Sequence, residues 1–458
     1  MRDKGLSTRF RAVLAILTVT LHLTSAWAAN HEKVPHTLNS EVADWKPGSD
    51  PILVGVGKLN FAPSGSWTEE VLHSFASYPD GDGPYAGVIF NAAGNLFGTT
   101  VDSLDYRCGT VFGLTPAGGG TWGESVLYNF SCEDGTYPEG SLIIDAADDL
   151  YGTTYLGGAS GYGTVFELTP TPFGGWTGKV LHSFQNNGVD GYYPYSSLIF
   201  DAAGDLYGTA YAGGSYGVGM VFELTPEAGG SWTESVLHSF IFNGTDGAYP
   251  TAGLVFDASG DLYGTTYYGG TNGAGTVFEL ISEGGGRWTK KILHNFNFNG
   301  TDGGYPQAGL IFDRSGNLYG TTYAGGTHDF GTVFELMPES GGSWTESVLH
   351  SFNENGTDGA YPVAALTLDA SGDLYGTTYA GGASGYGTVF ELTPEGGGRW
   401  TETVLHSFNN NGTDGADPYA GLIFDRSGNL YGTTVAGGTH GYGTVFELKH
   451  SAFGQAGH

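Results

Sequence analysis

The chain has 458 residues, 81 of them Gly and 18 Pro, with 14% charged and 14% aromatic residues. So much Gly, with many β-branched residues, disfavours helix interiors, and the aromatic content supplies apolar area that a disordered chain lacks. With 16 Lys and Arg against 47 Asp and Glu, the net charge of −31 would repel phosphate backbones and argues against nucleic acid as a partner.

Arg2, Lys4, Arg9 and Arg11 form a basic start, and an apolar stretch runs from Ala12 to Leu21. Ala26 and Ala28 then flank Trp27 in the pattern of a cleavage site, so residues 1–28 read as a secretory signal peptide cut after Ala28. The apolar run is short of the ~20 residues that span a bilayer, and no membrane insertion is expected after cleavage. Residues 29–50 read as a flexible lead-in. A secreted or periplasmic monomer is the expectation.

The segment 51–448 is built on one repeated unit. Trp recurs at 67, 122, 176, 232, 288, 344 and 400, each opening a stretch such as Trp344-Thr-Glu-Ser-Val-Leu-His-Ser-Phe352. An Asn/Gly/Asp-rich loop follows, ending at Tyr-Pro, as at Tyr361-Pro362. Next come an apolar run (Gly309-Leu-Ile-Phe-Asp313), a strand of the type Leu374-Tyr-Gly-Thr-Thr378 and another of the type Gly387-Thr-Val-Phe-Glu-Leu392. Four short segments per unit, rich in strand formers and separated by turn residues, read as four β-strands. A unit of about 56 residues is too long for a β-helix coil and suits a propeller blade.

These elements predict an all-β, seven-bladed β-propeller with four strands per blade. The apolar run would be the inner strand, buried on both faces, and the Gly of Leu-Tyr-Gly-Thr-Thr would let backbones approach closely. The last blade lacks its Trp strand, whereas an orphan Trp strand, 67–75, precedes the first inner strand. Pairing the two would complete blade seven, close the ring and remove an exposed sheet edge. A degenerate strand copy lies at Gly55–Phe61, and residues 449–458 read as a tail without a hydrophobic anchor. In an oxidising compartment Cys108 and Cys132 are expected to form a structural disulfide, with two buried thiols as the alternative.

The ordered unit Asp-x-Ser-Gly-(Asn/Asp)-Leu-Tyr-Gly-Thr-Thr-x-x-Gly-Gly…Gly-Thr-Val-Phe-Glu-Leu…Trp resembles the GloVer tandem repeat of bacterial exported proteins, and more broadly NHL-type propellers. The resemblance implies an exported propeller-like protein and supplies no catalytic residues. Members of that family often carry a C-terminal sorting segment, a pattern this chain departs from.

No nucleophile elbow, His-Glu-x-x-His or phosphate loop is present in the sequence. The position after the inner-strand Pro varies within a constant frame: Tyr85, Glu139, Tyr195, Thr251, Gln307, Val363 and Tyr419. That is the pattern of a differentiated channel mouth, or of a loosely packed position free to drift. Blade one breaks symmetry with Asp102, Asp105 and Arg107. The candidate binding residues are therefore Tyr85, Glu139, Tyr195, Gln307, Tyr419, Asp102 and Arg107. The loop Asp series (Asp134, Asp190, Asp246, Asp302, Asp358, Asp414) reads as turn chemistry, or as a calcium- or carbohydrate-binding face. Only Asp80 and Asp82 approach the spacing of calcium ligands. The histidines at 73, 182, 238, 294, 350 and 406 lie too far apart on separate blade rims to meet, and read as structural. The expected function is a non-enzymatic scaffold binding carbohydrate or protein on its loop face, with no cofactor apart from calcium if the Asp pair takes it. The alternatives are a lyase or lactonase-like hydrolase at the channel mouth, and a purely structural surface component.

Overall fold

A computed structural model describes residues 66–101 and 108–451. The signal-peptide reading, the lead-in, the strand copy at Gly55–Phe61, residues 102–107 and residues 452–458 fall outside the described residues. Seven antiparallel sheets form a seven-bladed β-propeller. Six have four strands, and blade three gains a fifth strand, Gly191–Pro194, against an extended Leu206–Gly213. The inner strands of blades one to seven begin at Ile89, Ile143, Ile199, Val255, Ile311, Thr367 and Ile423.

Blade five shows how the unit is built. Its strands are Ile311–Phe312, Leu318–Thr322, Thr332–Pro338 and Trp344–Ser351, each paired with the next. The inner strand is shorter and less covered than its sequence suggests: two residues, both half-buried. It is a channel edge paired on one side only. The fully buried strand is the second, Leu318-Tyr-Gly-Thr-Thr322, flanked by strands within the blade and by blades on either side. Its Gly320 is not a site of backbone approach. A Cβ there would lie 2.7 Å from Cζ of Phe334 and 2.9 Å from Leu310, so the glycine makes room for a phenylalanine ring from the neighbouring strand.

That Phe belongs to a ladder running around the ring. A bulge between Val333 and Phe334 interrupts the pairing with the outer strand. Phe334 is fully buried and meets Phe296, the last residue of the Trp segment of blade four, edge-on at 5.2 Å. The same contact recurs at every blade junction, from Phe75–Phe112 at 5.0 Å to Phe408–Phe446 at 5.2 Å. Edge-to-face rings at such spacing add roughly 0.5–1.5 kcal/mol beyond their area burial. Each junction also carries a buried threonine bond, such as Thr321 Oγ1 to the Ala364 carbonyl at 3.1 Å. Within each of blades two to seven a buried tyrosine hydroxyl donates to a glutamate, as Tyr319 to Glu335 at 2.8 Å. Blade one has Phe97 and Gly113 at these two positions.

The ring closes through the opening strand, Ser66–Ser74, which pairs antiparallel with the last strand, Thr444–Ser451, from Ser66↔Ser451 to Ser74↔Thr444. That last strand runs into the stretch read as a tail. The closure is reinforced across blades seven and one by Thr433 Oγ1 donating to the Ala86 carbonyl at 2.9 Å. Cys108 and Cys132 are joined as a disulfide with Cα atoms 5.2 Å apart.

Candidate functional site

The loops before each inner strand and after each second strand meet on one face. In blades four to seven they form two-residue ribbons, such as Gly359–Ala360 against Ala380–Gly381. The Tyr of Tyr-Pro sits here in the left-handed region, with φ of 63° at Tyr193, 58° at Tyr249, 59° at Tyr305 and 57° at Tyr361. A non-glycine residue there costs on the order of 1 kcal/mol. The offset is local: the Tyr361 N–H donates to the Phe330 carbonyl at 2.8 Å, and its own carbonyl accepts from Tyr379 at 3.1 Å.

This backbone lays each Tyr beside the Tyr that follows Leu-Tyr-Gly-Thr-Thr in the preceding blade. Tyr155 and Tyr193 stack at 4.8 Å and Tyr323 and Tyr361 at 5.0 Å, while Tyr211 meets Tyr249 at 5.0 Å and Tyr267 meets Tyr305 at 5.4 Å with rings tilted by 36° and 37°. The other three junctions lack the pair. Asp417 stands opposite Tyr379, Gly83 opposite Val435, and Val101 replaces the tyrosine beside Tyr137. The face is thus a crescent of four tyrosine pairs and an open side.

Inside the crescent the variable positions of five blades meet. The Tyr195 and Tyr419 hydroxyls are 3.2 Å apart, although they come from blades three and seven. Tyr419 Oη also donates to Gln307 Oε1 at 3.3 Å, and its ring meets Tyr85 at 5.3 Å. Tyr195 hydrogen bonds to Glu139. The walls join this floor directly, Tyr155 against Tyr195 at 6.1 Å and Tyr379 against Tyr419 at 6.2 Å. All five floor residues are half-buried.

Of the residues singled out in the sequence, Tyr85, Glu139, Tyr195, Gln307 and Tyr419 converge. Thr251 donates to the Gln307 carbonyl at 3.3 Å, and Val363 is buried. Asp102 and Arg107 lie outside the described residues. The loop aspartates do not lie open on this face. Asp190, Asp246, Asp302, Asp358 and Asp414 are 5–7% exposed, and each turns back to its blade's histidine and loop backbone. Asp358 lies 3.3 Å from His350 Nε2 and accepts the Asn353 N–H at 3.1 Å. Asp80 belongs to the same series: His73 Nε2 lies 3.0 Å away and the Ala76 N–H donates to it at 2.8 Å. Asp82 is buried, and no grouping of three potential ligands among the described residues includes either Asp80 or Asp82. Sequence reasoning missed the wall tyrosines Tyr155, Tyr211, Tyr267, Tyr323 and Tyr379. The signal was available as two columns of the repeat read together.

Burial favours the uncharged forms of Glu139, Tyr195 and Tyr419 on this floor. Burial pushes the Glu139 carboxyl up to about 8, against a smaller opposing pull from the Tyr195 hydrogen bond. Burial also raises the Tyr419 hydroxyl to about 12 and the Tyr195 hydroxyl well above the usual phenol range. A carboxyl favoured as the neutral acid gives stability that is full below the unfolded value near 4.5 and is lost as pH rises toward 8. Glu139→Gln is therefore expected to gain on the wild type by roughly 2 kcal/mol between pH 5 and pH 9, less than the whole shift because water reaches a half-buried channel. Urea unfolding at the two pH values checks it; an equal difference at both would contradict a protonated Glu139.

The Gloeobacter/Verrucomicrobia repeat family matches residues 59–278, 172–354 and 258–455. No curated protein matches the chain. Similar solved structures include a protein from Bacteroides uniformis assigned as a 6-phosphogluconolactonase, 15% identical with a TM-score of 0.46, covering 74% of this chain and 88% of that one. Another is a Thermus thermophilus protein assigned as an oxidoreductase (glucose dehydrogenase), 16% identical with a TM-score of 0.37, covering 84% and 100%. A third is a luciferin-regenerating enzyme, 13% identical with a TM-score of 0.41, covering 71% and 94%.

Proposed function

The chain belongs to the Gloeobacter/Verrucomicrobia repeat family, and we propose that it is an exported binding propeller that takes a neutral glycan into the tyrosine-walled channel mouth. One observation carries this reading: a floor of uncharged hydroxyl, amide and carboxyl groups beneath a one-sided crescent of aromatic pairs. Sugars offer flat C–H faces and a fringe of hydroxyls. Tyr supplies apolar area with a polar tip, and Gln307 and a protonated Glu139 can each donate and accept. A charged ligand would gain no countercharge from this floor. The Asp-rich loops do not enter the argument, because their carboxylates are spent inside the blades.

The test is a glycan array probed with purified residues 29–458, with calcium and again with EDTA. Hits that survive EDTA are expected. The triple variant Tyr85→Ala, Tyr195→Ala, Tyr419→Ala should lose at least tenfold in affinity for any hit, since each ring lost from a binding cluster commonly costs 1 kcal/mol or more. Undiminished binding by the triple variant would remove the channel mouth as the site.

A second reading rests on Glu139 alone. A carboxyl holding its proton to about pH 8 beside a tyrosine hydroxyl is suited to general acid–base work on a lactone or uronide. Turnover abolished in Glu139→Gln with glycan binding retained would favour an enzyme over a lectin.

A further inference from the structure

A second repeated constellation lies at the rim between blades and has no part in the channel. Two residues after its Trp, an outer strand carries a Glu that faces the preceding blade; near its end it carries the His that faces the following one. At four of the seven junctions that Glu meets the His and the loop Asp of the preceding blade, with one ligand-type atom from each residue within 4.8 Å of the others. The histidines do not meet each other, as their separation on the rim requires. Each meets two carboxylates instead.

The junction of blades two and three is the most exacting case. His182 Nε2 lies 3.4 Å from Asp190 Oδ2 and 3.9 Å from Glu234 Oε1. His182 Nε2, Asp190 Oδ1 and Glu234 Oε1 are all shut off from solvent, no donor of the chain reaches them, and Asp190 is 5% exposed; the two carboxyls have only each other as hydrogen-bond partners, through a shared proton. Three ligand-type atoms, one from each residue, face a common point. At the other three junctions the Glu again leaves a buried Oε1 unpartnered, as Glu346 and Glu402 show. Two buried carboxylates side by side repel strongly unless a proton or a metal ion lies between them.

Of the remaining junctions, one states the missing charge and another lacks the site. Between blades three and four the Glu position is Lys290, and its ammonium bonds Asp246 beside His238. There the chain supplies its own cation where the second carboxylate would stand. Between blades one and two the His position is Tyr128, whose hydroxyl donates to Asp134 at 2.6 Å, and the Glu position is Gly178. A Cβ on Gly178 would lie 2.6 Å from Tyr128 Cζ, so this junction has neither the imidazole nor room for the carboxylate.

We propose that His182, Asp190 and Glu234 bind a divalent transition-metal ion, and that the same site recurs at three further blade junctions, including His294–Asp302–Glu346. One imidazole and two carboxylates, leaving a position for water, is a donor set suited to Zn2+. The ion ties the outer strand and loop of one blade to the outer strand of the next, at the rim and away from the sugar site, so each proposal can fail alone.

The experiment uses the full chain stripped with chelator and dialysed against micromolar Zn2+, with bound metal measured per protein. Uptake of about four equivalents is expected, one at each cluster. Glu234→Gln should lose one equivalent, and Lys290→Glu should gain one by restoring the second carboxylate. No uptake by the stripped chain, or uptake unchanged in both variants, overturns the proposal and leaves a proton shared between Asp190 and Glu234 as the occupant. Circular dichroism of each variant guards against loss of fold, and the Lys290→Glu gain cannot arise from unfolding at another junction.

Discussion

A chain that begins after Phe75 is expected to lose cooperative folding or to melt more than 10 °C lower than the wild type. The opening strand is the outer member of blade seven, paired along the last strand from Ser66 to Ser74. Its departure would expose an unpaired edge and the apolar flank of the last strand. Phe75, fully buried against Phe112, would go with it, and truncating such a ring alone costs about 3–5 kcal/mol. With the strand's other contacts the total approaches the 5–15 kcal/mol that holds a typical domain. Thermal unfolding followed by circular dichroism reads the effect, and a synthetic peptide of residues 66–75 should restore part of it in trans. Unchanged melting of the truncated chain would mean that the ring is closed by something other than this strand.

Gly387→Ala is expected to destabilise by about 3–4 kcal/mol, through two costs that a control separates. Gly387 has φ +94°, and a Cβ there would stand 2.4 Å from the Thr378 carbonyl oxygen and 2.6 Å from Cδ of Pro418. The second contact crosses to the next blade, where Pro418 leads into the inner strand, so the methyl group would push two blades apart. Gly385, two residues earlier, has φ +82° and nothing within 4 Å of its Cβ position. Gly385→Ala should therefore cost only about 1 kcal/mol, the backbone part alone. Equal losses in the two variants, measured by denaturant midpoints, would mean that the junction yields and that close packing at the Pro is not what holds the blades in place.

The blade count and the ring closure were legible because each rests on order along the chain. Four landmarks recurring seven times leave few arrangements, and an orphan Trp strand at one end matches a missing one at the other. The meeting of Tyr195 with Tyr419 was only half legible, because a position that changes inside a constant frame reads equally as a channel mouth or as loose packing. What escaped was whatever depends on which way a side chain turns. The loop aspartates read as turn chemistry or as a calcium- or carbohydrate-binding face, and their carboxylates turn inward to accept loop N–H groups, as Asp358 does from Asn353. The His–Asp–Glu groupings escaped for a related reason. Glu234 and His182 belong to different repeats and become neighbours only when two blades stack, so spacing within a unit carries no trace of them. The crescent of tyrosines needed two columns of the repeat to be compared across a junction in the same way.

The tyrosine–glutamate pair inside each blade bears on how such a ring could have diverged from identical units. Blade one has lost the phenol, the carboxylate and the nearby Asp together, holding Phe97, Gly113 and Asn91 where blade five has Tyr319, Glu335 and Asp313. The order of those losses matters. Removing the acceptors first would strand a phenol inside the junction at about 1–3 kcal/mol, whereas removing the phenol first leaves carboxylates that, where half-buried like Glu335 and Asp313, water can still reach. An ancestral blade could therefore cross to the present state cheaply in one direction only. A reconstructed lineage of these repeats should contain intermediates with Phe opposite Glu, and lack those with Tyr opposite Gly.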